Sequence, residues 1–117
     1  MGSVPINISA GNANLTVTAN NSANTQRVTL NDSNGNPLYT FTGSGERAAI
    51  GNAAVANPGG LTATLEYSGD GGVTWNDSLT QAGGPYGIGS SGFYLIVGEN
   101  GDDADYNDVV LQFGWKN

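Results

Sequence analysis

The feature that most restricts the fold of this chain is its succession of short apolar–polar alternations interrupted by glycine- and asparagine-rich turns. Apolar residues recur at every second position, as in Leu15-Thr16-Val17, and runs with the 3.6-residue period of a helix are missing. The 19 glycines among 117 residues fit many short strands, because each chain reversal needs a turn. The sequence therefore predicts an all-β protein, an antiparallel β-sandwich of about nine strands with a Greek-key or jelly-roll-like order.

The predicted strands are short and are separated by turn signals such as Asn57–Gly60. They cover Val4–Ser9, Ala13–Asn20, Thr25–Asn31, Pro37–Thr42, Arg47–Gly51, Leu61–Tyr67, Val73–Ser78, Gly92–Gly98 and Asn107–Trp115. We assign the glycine-rich stretch Gln81–Ser91 to a long loop. Alternation places Phe93, Leu95 and Val97 in the core, and likewise Val109, Leu111 and Phe113. With neither a repeat nor a linker, residues 1–117 are expected to form a single domain.

Charge excludes several classes of partner. The formal net charge is −7, and the only cations are Arg27, Arg47 and Lys116. So few cations cannot line a phosphate-binding surface, so we expect neither nucleic acid nor an anionic membrane as a partner. No apolar run approaches the roughly 20 residues that cross a bilayer, and we expect no membrane insertion.

The chain contains neither histidine nor cysteine. It therefore lacks the commonest general base, the usual nucleophilic triads and the usual zinc ligands. We expect a protein that is not an enzyme. One alternative stays open, a glycosidase that uses two carboxylates, for which Glu46, Glu66 and Asp77 are the scattered candidates.

An acidic segment, Glu99–Asp108, lies between two apolar strands. Half of the ten acidic residues are there: Glu99, Asp102, Asp103, Asp105 and Asp108. Carboxylates held this close repel one another, and a hard divalent cation offsets the repulsion. Calcium takes six to eight oxygen ligands at about 2.3–2.6 Å, and the set exceeds what one ion needs. The segment therefore predicts a calcium site that holds two ions, whereas the EF-hand pattern fails because its glycine, closing glutamate and flanking helices are missing.

Calcium in such a loop has more than one use. Exposed ions can accept vicinal sugar hydroxyls in place of water, which predicts a carbohydrate-binding protein. The main alternative is a calcium-dependent adhesin or peptide-binding module in which calcium is structural. A solvated acidic turn without an ion is the remaining reading of the segment.

A second motif, Ser68–Trp75, matches the Asp-box pattern S-x-D-x-G-x-T-W. The motif marks a β-hairpin in several unrelated folds, including propellers. A propeller needs several blades of about 40 residues, so one box in this chain does not indicate one. We interpret the motif as a stable turn.

The segment Glu99–Asp108, followed by an apolar strand ending in Trp115, resembles the calcium loop of the LecB-type bacterial lectins. Asp-Tyr-Asn-Asp at 105–108 carries the match most strongly, and Asn21–Gln26 is similar to the specificity loop of the family. The resemblance implies a nine-stranded sandwich that binds fucose or mannose, on a monosaccharide or glycan, through two calcium ions. It also implies a homodimer or homotetramer, and a protein that acts outside the cell or at its surface, although no signal peptide is visible.

The resemblance also implies roles for individual residues. The calcium ligands would be Asn21, Glu99, Asp103, Asp105, Asn107 and Asp108, with Asp105 and Asp108 bridging the two ions. The sugar-binding residues would be Ser22, Ala23, Asn24, Asn100, Asp102, Asp103 and Asp108. A serine at the first position of the triplet Ser22–Asn24 favours fucose in this family. The chain departs from the family at Asn100, where an acid is usual. It also ends at Asn117, whereas family members end one residue later, in a glycine whose carboxylate reaches the calcium of a neighbouring subunit.

Overall fold

The structure is a computed structural model that describes residues 3–101 and 108–116. Four predicted site residues, Asp102, Asp103, Asp105 and Asn107, lie outside the described residues. The strands are β1 (Ser3–Pro5), β2 (Asn12–Asn31), β3 (Pro37–Ala56), β4 (Thr62–Ser68), β5 (Asn76–Asp77), β6 (Leu79–Ile88), β7 (Ser91–Glu99) and β8 (Val109–Lys116). Among these residues, none belongs to a helix long and apolar enough to cross a membrane.

The strands form one antiparallel sheet that nearly closes on itself. Its order is β1-β4-β2-β8-β7-β6, with β3 paired to β2 and β5 paired to β4. The two halves face each other across the core, where Gly98 of β7 lies against Leu65 of β4. The predicted class, an all-β antiparallel sandwich, is confirmed.

Strand β2 belongs to both halves of the sandwich. Its first half, Asn14–Ala19, pairs with β8, and its second half, Thr25–Asn31, pairs with β4. The register with β3 shifts on both sides of Asn21, so the ladder is interrupted there. The long strands β2 and β3 each merge two strands that the sequence predicted separately, and β6 adds a strand that it did not predict, so eight strands replace about nine in the part described.

The core is built from the inward-facing positions of β2, β4, β7 and β8. Leu15, Val17, Leu65, Ile96, Leu111 and Phe113 are all at most 1% exposed. The prediction that Val109, Leu111 and Phe113 face inward is confirmed. Burial of each side chain of this size contributes about 1.5–3 kcal/mol to the free energy of folding. This layer therefore holds the two halves together and fixes the ends of β7 and β8.

The predicted inward face of β7 is wrong. Tyr94 and Ile96 point into the core, and Phe93, Leu95 and Val97 are half-buried on the other face. Five consecutive apolar residues offer no polar face, so alternation alone cannot choose the inner one.

The predicted loop Gln81–Ser91 is also wrong. Residues Leu79–Ile88 form β6, which pairs with β7 through a register shift between Gly83 and Tyr86. The strand is largely exposed and lies at the edge of the sheet order, where glycine and proline are tolerated. Its composition therefore resembles that of a loop although its backbone follows a strand.

Candidate functional site

Two loops meet where β2 changes partners and β8 begins. The backbone N–H of Asn20 donates to the carbonyl oxygen of Asp108 at 2.9 Å, and the N–H of Asp108 donates to the carbonyl of Gly98 at 3.1 Å. These bonds continue the ladders on both sides of β8 past Val109. The backbone of Asp108 is therefore fixed by hydrogen bonds to both neighbouring strands, independently of its side chain.

The Asp108 side chain connects both loops. Its Oδ1 accepts a hydrogen bond from Asn21 Nδ2 at 2.9 Å, and its Oδ2 accepts one from the backbone N–H of Asn100 at 2.8 Å. The residue is only 4% exposed. Among the described residues its carboxylate meets amide donors and no Lys or Arg. A buried carboxylate of this kind fits a site that also receives a cation.

Glu99 is a second buried carboxylate beside the first. It ends β7, is 1% exposed, and its Oε2 accepts a hydrogen bond from the N–H of Gly101 at 3.1 Å. Gly101 has φ of +92°, a conformation that glycine adopts without strain, so the chain folds back over the Glu99 carboxylate. Both carboxylates that the structure describes in the acidic segment are therefore buried at its two ends.

The side-chain amide of Asn100 is buried next to them. Neither its Oδ1 nor its Nδ2 has a hydrogen-bond partner in the described part of the chain. A buried amide without hydrogen-bond partners destabilises the folded state, and its oxygen is a ligand atom of the kind that calcium binds. Two buried carboxylates and one unsatisfied amide, all oxygen ligands, fit a hard cation such as calcium and do not fit a metal that requires His or Cys.

The other loop is organised by Asn21, which is 8% exposed. Its Oδ1 accepts hydrogen bonds from the backbone N–H groups of Ala23 and Asn24, both at 2.9 Å. The resulting turn leaves Ser22 and Ala23 exposed and Asn24 half-buried. One amide side chain thus shapes the predicted specificity triplet with its oxygen and binds Asp108 with its nitrogen.

The structure brings together the predicted residues Asn21, Glu99, Asn100 and Asp108, with Ser22–Asn24 in the loop that Asn21 shapes. Asp102, Asp103, Asp105 and Asn107 are outside the described residues, and they belong to the segment that joins the adjacent ends of β7 and β8. Within residues 3–101 and 108–116, no three His, Cys, Asp or Glu side chains are grouped closely enough to hold a metal ion.

Sequence reasoning missed one supporting residue, Asn20. Its Oδ1 accepts a hydrogen bond from the backbone N–H of Arg47 at 3.0 Å, opposite the interruption in β2. Arg47 has φ of +51°, so this bond supports an unusual backbone conformation in β3. The sequence signal that could have identified Asn20 is its position next to Asn21, the only one of the two to which the sequence analysis gave a role.

Comparison with known proteins identifies the family of this chain. Residues 6–117 match the model of a protein family described as fucose-binding lectin II (PA-IIL). Among curated protein sequences, none matches this chain.

Solved structures of three bacterial lectins share the fold. The Chromobacterium violaceum lectin CV2L, in complex with alpha-methyl-fucoside, has a TM-score of 0.75 at 23% identity, over 99% of this chain and 96% of that one. A high-affinity mannose-binding lectin of Ralstonia solanacearum has a TM-score of 0.74 at 25% identity, with the same coverage of both chains. The C-terminal domain of the lectin BC2L-C from Burkholderia cenocepacia has a TM-score of 0.72 at 22% identity, again with the same coverage of both chains.

The family match spans nearly the whole chain and includes both loops of the site. It confirms the predicted resemblance, and it confirms the prediction of a carbohydrate-binding protein that is not an enzyme. The adhesin and hydrolase alternatives are not favoured, because the matching family and its structural neighbours are lectins. The chain is a member of the fucose-binding lectin II family.

Proposed function

We propose that this protein binds a sugar of the fucose or mannose class through calcium held by the Glu99–Asp108 segment. The observation that carries the proposal is the position of Asp108, whose buried carboxylate contacts both loops at once. A ligand that binds across the two loops would be held by residues that are already fixed relative to each other. The family match supports the sugar class.

The proposed calcium ligands come from both sides of this contact. They are Asn21, Glu99, Asp103, Asp105, Asn107 and Asp108, with Asp105 and Asp108 shared between two ions. Support comes from the burial of Glu99 and Asp108, since buried carboxylates need a compensating charge. The side-chain oxygen of Asn21 already accepts two N–H groups, so the oxygen that Asn21 offers is its backbone carbonyl.

Calcium, when held by these residues, would supply exchangeable positions for vicinal sugar hydroxyls. The residues of the chain then orient the ring. We assign sugar contact to Ser22, Ala23, Asn24, Asn100, Asp102, Asp103 and Asp108. Ser22 is exposed, so its hydroxyl is open to a ligand. The preference for fucose is inferred from the serine at this position of the triplet, as the family resemblance implies.

The structural neighbours support the same sugar class, since one was solved with alpha-methyl-fucoside and another is described as mannose-binding. We further propose that the protein forms a homodimer or homotetramer, because several linked sites raise the avidity for a glycan surface. Sedimentation of the calcium-loaded protein measures this directly. A monomer at all concentrations would contradict the oligomer and leave the sugar site standing.

The test of the proposed function is a calorimetric titration of fucose and of mannose into calcium-loaded protein, repeated with a chelator. We expect heat only with calcium, and tighter binding of fucose than of mannose. Asp105→Ala should abolish the heat, whereas Asp77→Ala, which removes an exposed carboxylate elsewhere, should not. Calcium binding without heat from either sugar would reject the proposal and indicate a structural role for calcium.

A further inference from the structure

The Asp-box turn Ser68–Trp75, which the proposed function does not use, lies beside the specificity loop. In the pairing of β2 with β4, Thr25 lies opposite Ser68. Asn24, the last residue of the specificity triplet, precedes Thr25, and the turn follows Ser68. The two segments therefore leave neighbouring strands at the same end of the sheet.

Asn24 is in contact with this turn. A Cβ at Gly69 would lie 3.2 Å from Asn24 Oδ1, so the absence of a side chain at residue 69 leaves room for the Asn24 amide. On its other side, Asn24 Nδ2 points to Asn21 Oδ1 at 3.5 Å. The Asn24 side chain thus fills the space between the turn and the residue that shapes the loop.

The turn is rigid because its first residues are tied together. Ser68, which is 1% exposed, donates through Oγ to Asp70 Oδ1 at 2.6 Å and accepts from the N–H of Gly72 at 2.9 Å. Asp70 Oδ1 also accepts from the N–H groups of Val73 and Thr74, at 3.1 and 2.8 Å. A turn with this many internal bonds does not give way easily when a neighbour presses on it.

The far end of the turn is anchored as well. The guanidinium carbon of Arg27 lies 4.1 Å from the centre of the Trp75 ring, within the range of a cation–π contact. Arg27 also forms an ion pair with Glu66 of β4 at 3.0 Å. Both ends of the Asp box are therefore fixed to β2 and β4, the strands that carry the specificity loop and the turn.

We propose that the Asp-box turn is a positioning element for sugar specificity, acting through the contact of Gly69 with Asn24. This inference rests on the proposed function, because it concerns the same sugar site. The turn fixes where the Asn24 amide lies, and so fixes the shape of the loop that discriminates fucose from mannose. Its neighbour is Asn24, which we assign to the sugar and not to calcium, so we expect its effect to fall on sugar preference.

The test uses Gly69→Ala, because Gly69 is not among the residues with positive φ and its backbone accepts alanine. The added methyl group must displace Asn24 by a few tenths of an ångström. We expect the ratio of fucose to mannose affinity to change by about threefold or more, with calcium affinity unchanged. The control is Asp32→Asn, which alters a similar turn at the other end of the same half of β2, about 20 Å away.

A double-variant cycle separates positioning from general loss of stability. In an Asn24→Ala background the methyl group at residue 69 has no amide to displace, so Gly69→Ala should no longer change the ratio. An unchanged ratio in Gly69→Ala, or an equal change in both backgrounds, would overturn the inference while leaving the proposed function intact. Wild-type protein that binds neither sugar would instead reject the proposed function, and the inference with it.

Discussion

Asn21 Nδ2 donates a 2.9 Å hydrogen bond to Asp108 Oδ1, joining residues 87 positions apart in the chain. Both side chains are buried, so water does not compete for the bond. The same carboxylate accepts the N–H of Asn100, and the same asparagine holds the turn of the specificity loop. A change at either residue therefore reaches both loops of the site.

We expect Asp108→Asn to lower calcium affinity by at least about tenfold, because it removes a buried negative charge while keeping the shape of the side chain. The hydrogen bond from Asn21 survives only if the new amide turns its oxygen toward Nδ2, which leaves its own nitrogen facing the N–H of Asn100. Calcium titration measures the affinity. Asp77→Asn, in the exposed strand β5, provides the control and should leave affinity unchanged. Equal affinity in the two variants would show that Asp108 is not a ligand.

Chelation should lower the melting temperature. A cation that binds only the folded state stabilises it by about 2.7 kcal/mol when its free concentration is 100 times its dissociation constant. Glu99 and Asp108 then lose the charge that offsets their burial. Differential scanning calorimetry with calcium, with magnesium and with chelator checks this. Melts that coincide in calcium and chelator would argue against any calcium site in the folded protein.

The Asp-box turn should make a pH-dependent contribution to stability. The Ser68 hydroxyl and the backbone N–H of Thr74 lower the pKa of Asp70 from 3.8 to about 2. Because the unfolded chain binds this proton more readily, the contribution is complete above pH 3.8 and is lost as the pH falls toward 2. The stability difference between wild type and Asp70→Asn should therefore be constant near neutral pH and shrink below pH 3.8.

Urea unfolding in chelator, at pH 6 and at pH 3, measures this difference without interference from calcium. Asp32→Asn is a parallel case, since hydrogen bonds from Asn36 and Asn34 also lower the pKa of Asp32. A difference between wild type and Asp70→Asn that grows as the solution is acidified would contradict the assigned sign.

Two glycines on the β7–β8 pair should respond oppositely to alanine. The Trp115 indole packs directly on Gly92, where a Cβ would overlap it, whereas a Cβ at Gly114 meets nothing within 4 Å. Trp115 is 7% exposed and belongs to the core, so it has little room to move. Gly92→Ala should destabilise by about 1–3 kcal/mol, and Gly114→Ala should be neutral or slightly stabilising. Chemical denaturation measures the stability of both variants. Comparable denaturant concentrations at the two unfolding midpoints would refute the packing argument.

The sequence predicted strands best where one face is polar. In β8 the polar residues Gln112 and Lys116 mark the outer face. Val109, Leu111 and Phe113 face the core as expected. In β7 both faces are apolar, so the inner face depends on what the other half of the sandwich presents, which is information that the local sequence does not contain.

For the site, the density of acids placed Glu99 and Asp108 in one predicted cluster, but it did not predict that both carboxylates are buried. The role of Asn21 came only from the resemblance, because an asparagine in a polar loop has no local signal of its partner. The contact of Asn24 with Gly69 was not predicted at all. It depends on the pairing of β2 with β4, which brings together segments that are 45 positions apart.

Because β2 pairs with β4 through one half and with β8 through the other, the site does not exist until β8 has docked. A nascent chain, or one clipped before residue 108, retains Asn21 and its loop but has nothing to join them to. Such long-range pairings form late and slowly in β-proteins. Ligand binding by this protein consequently requires completed folding. Immobilised sugar would retain only those molecules in which β2 and β8 have paired.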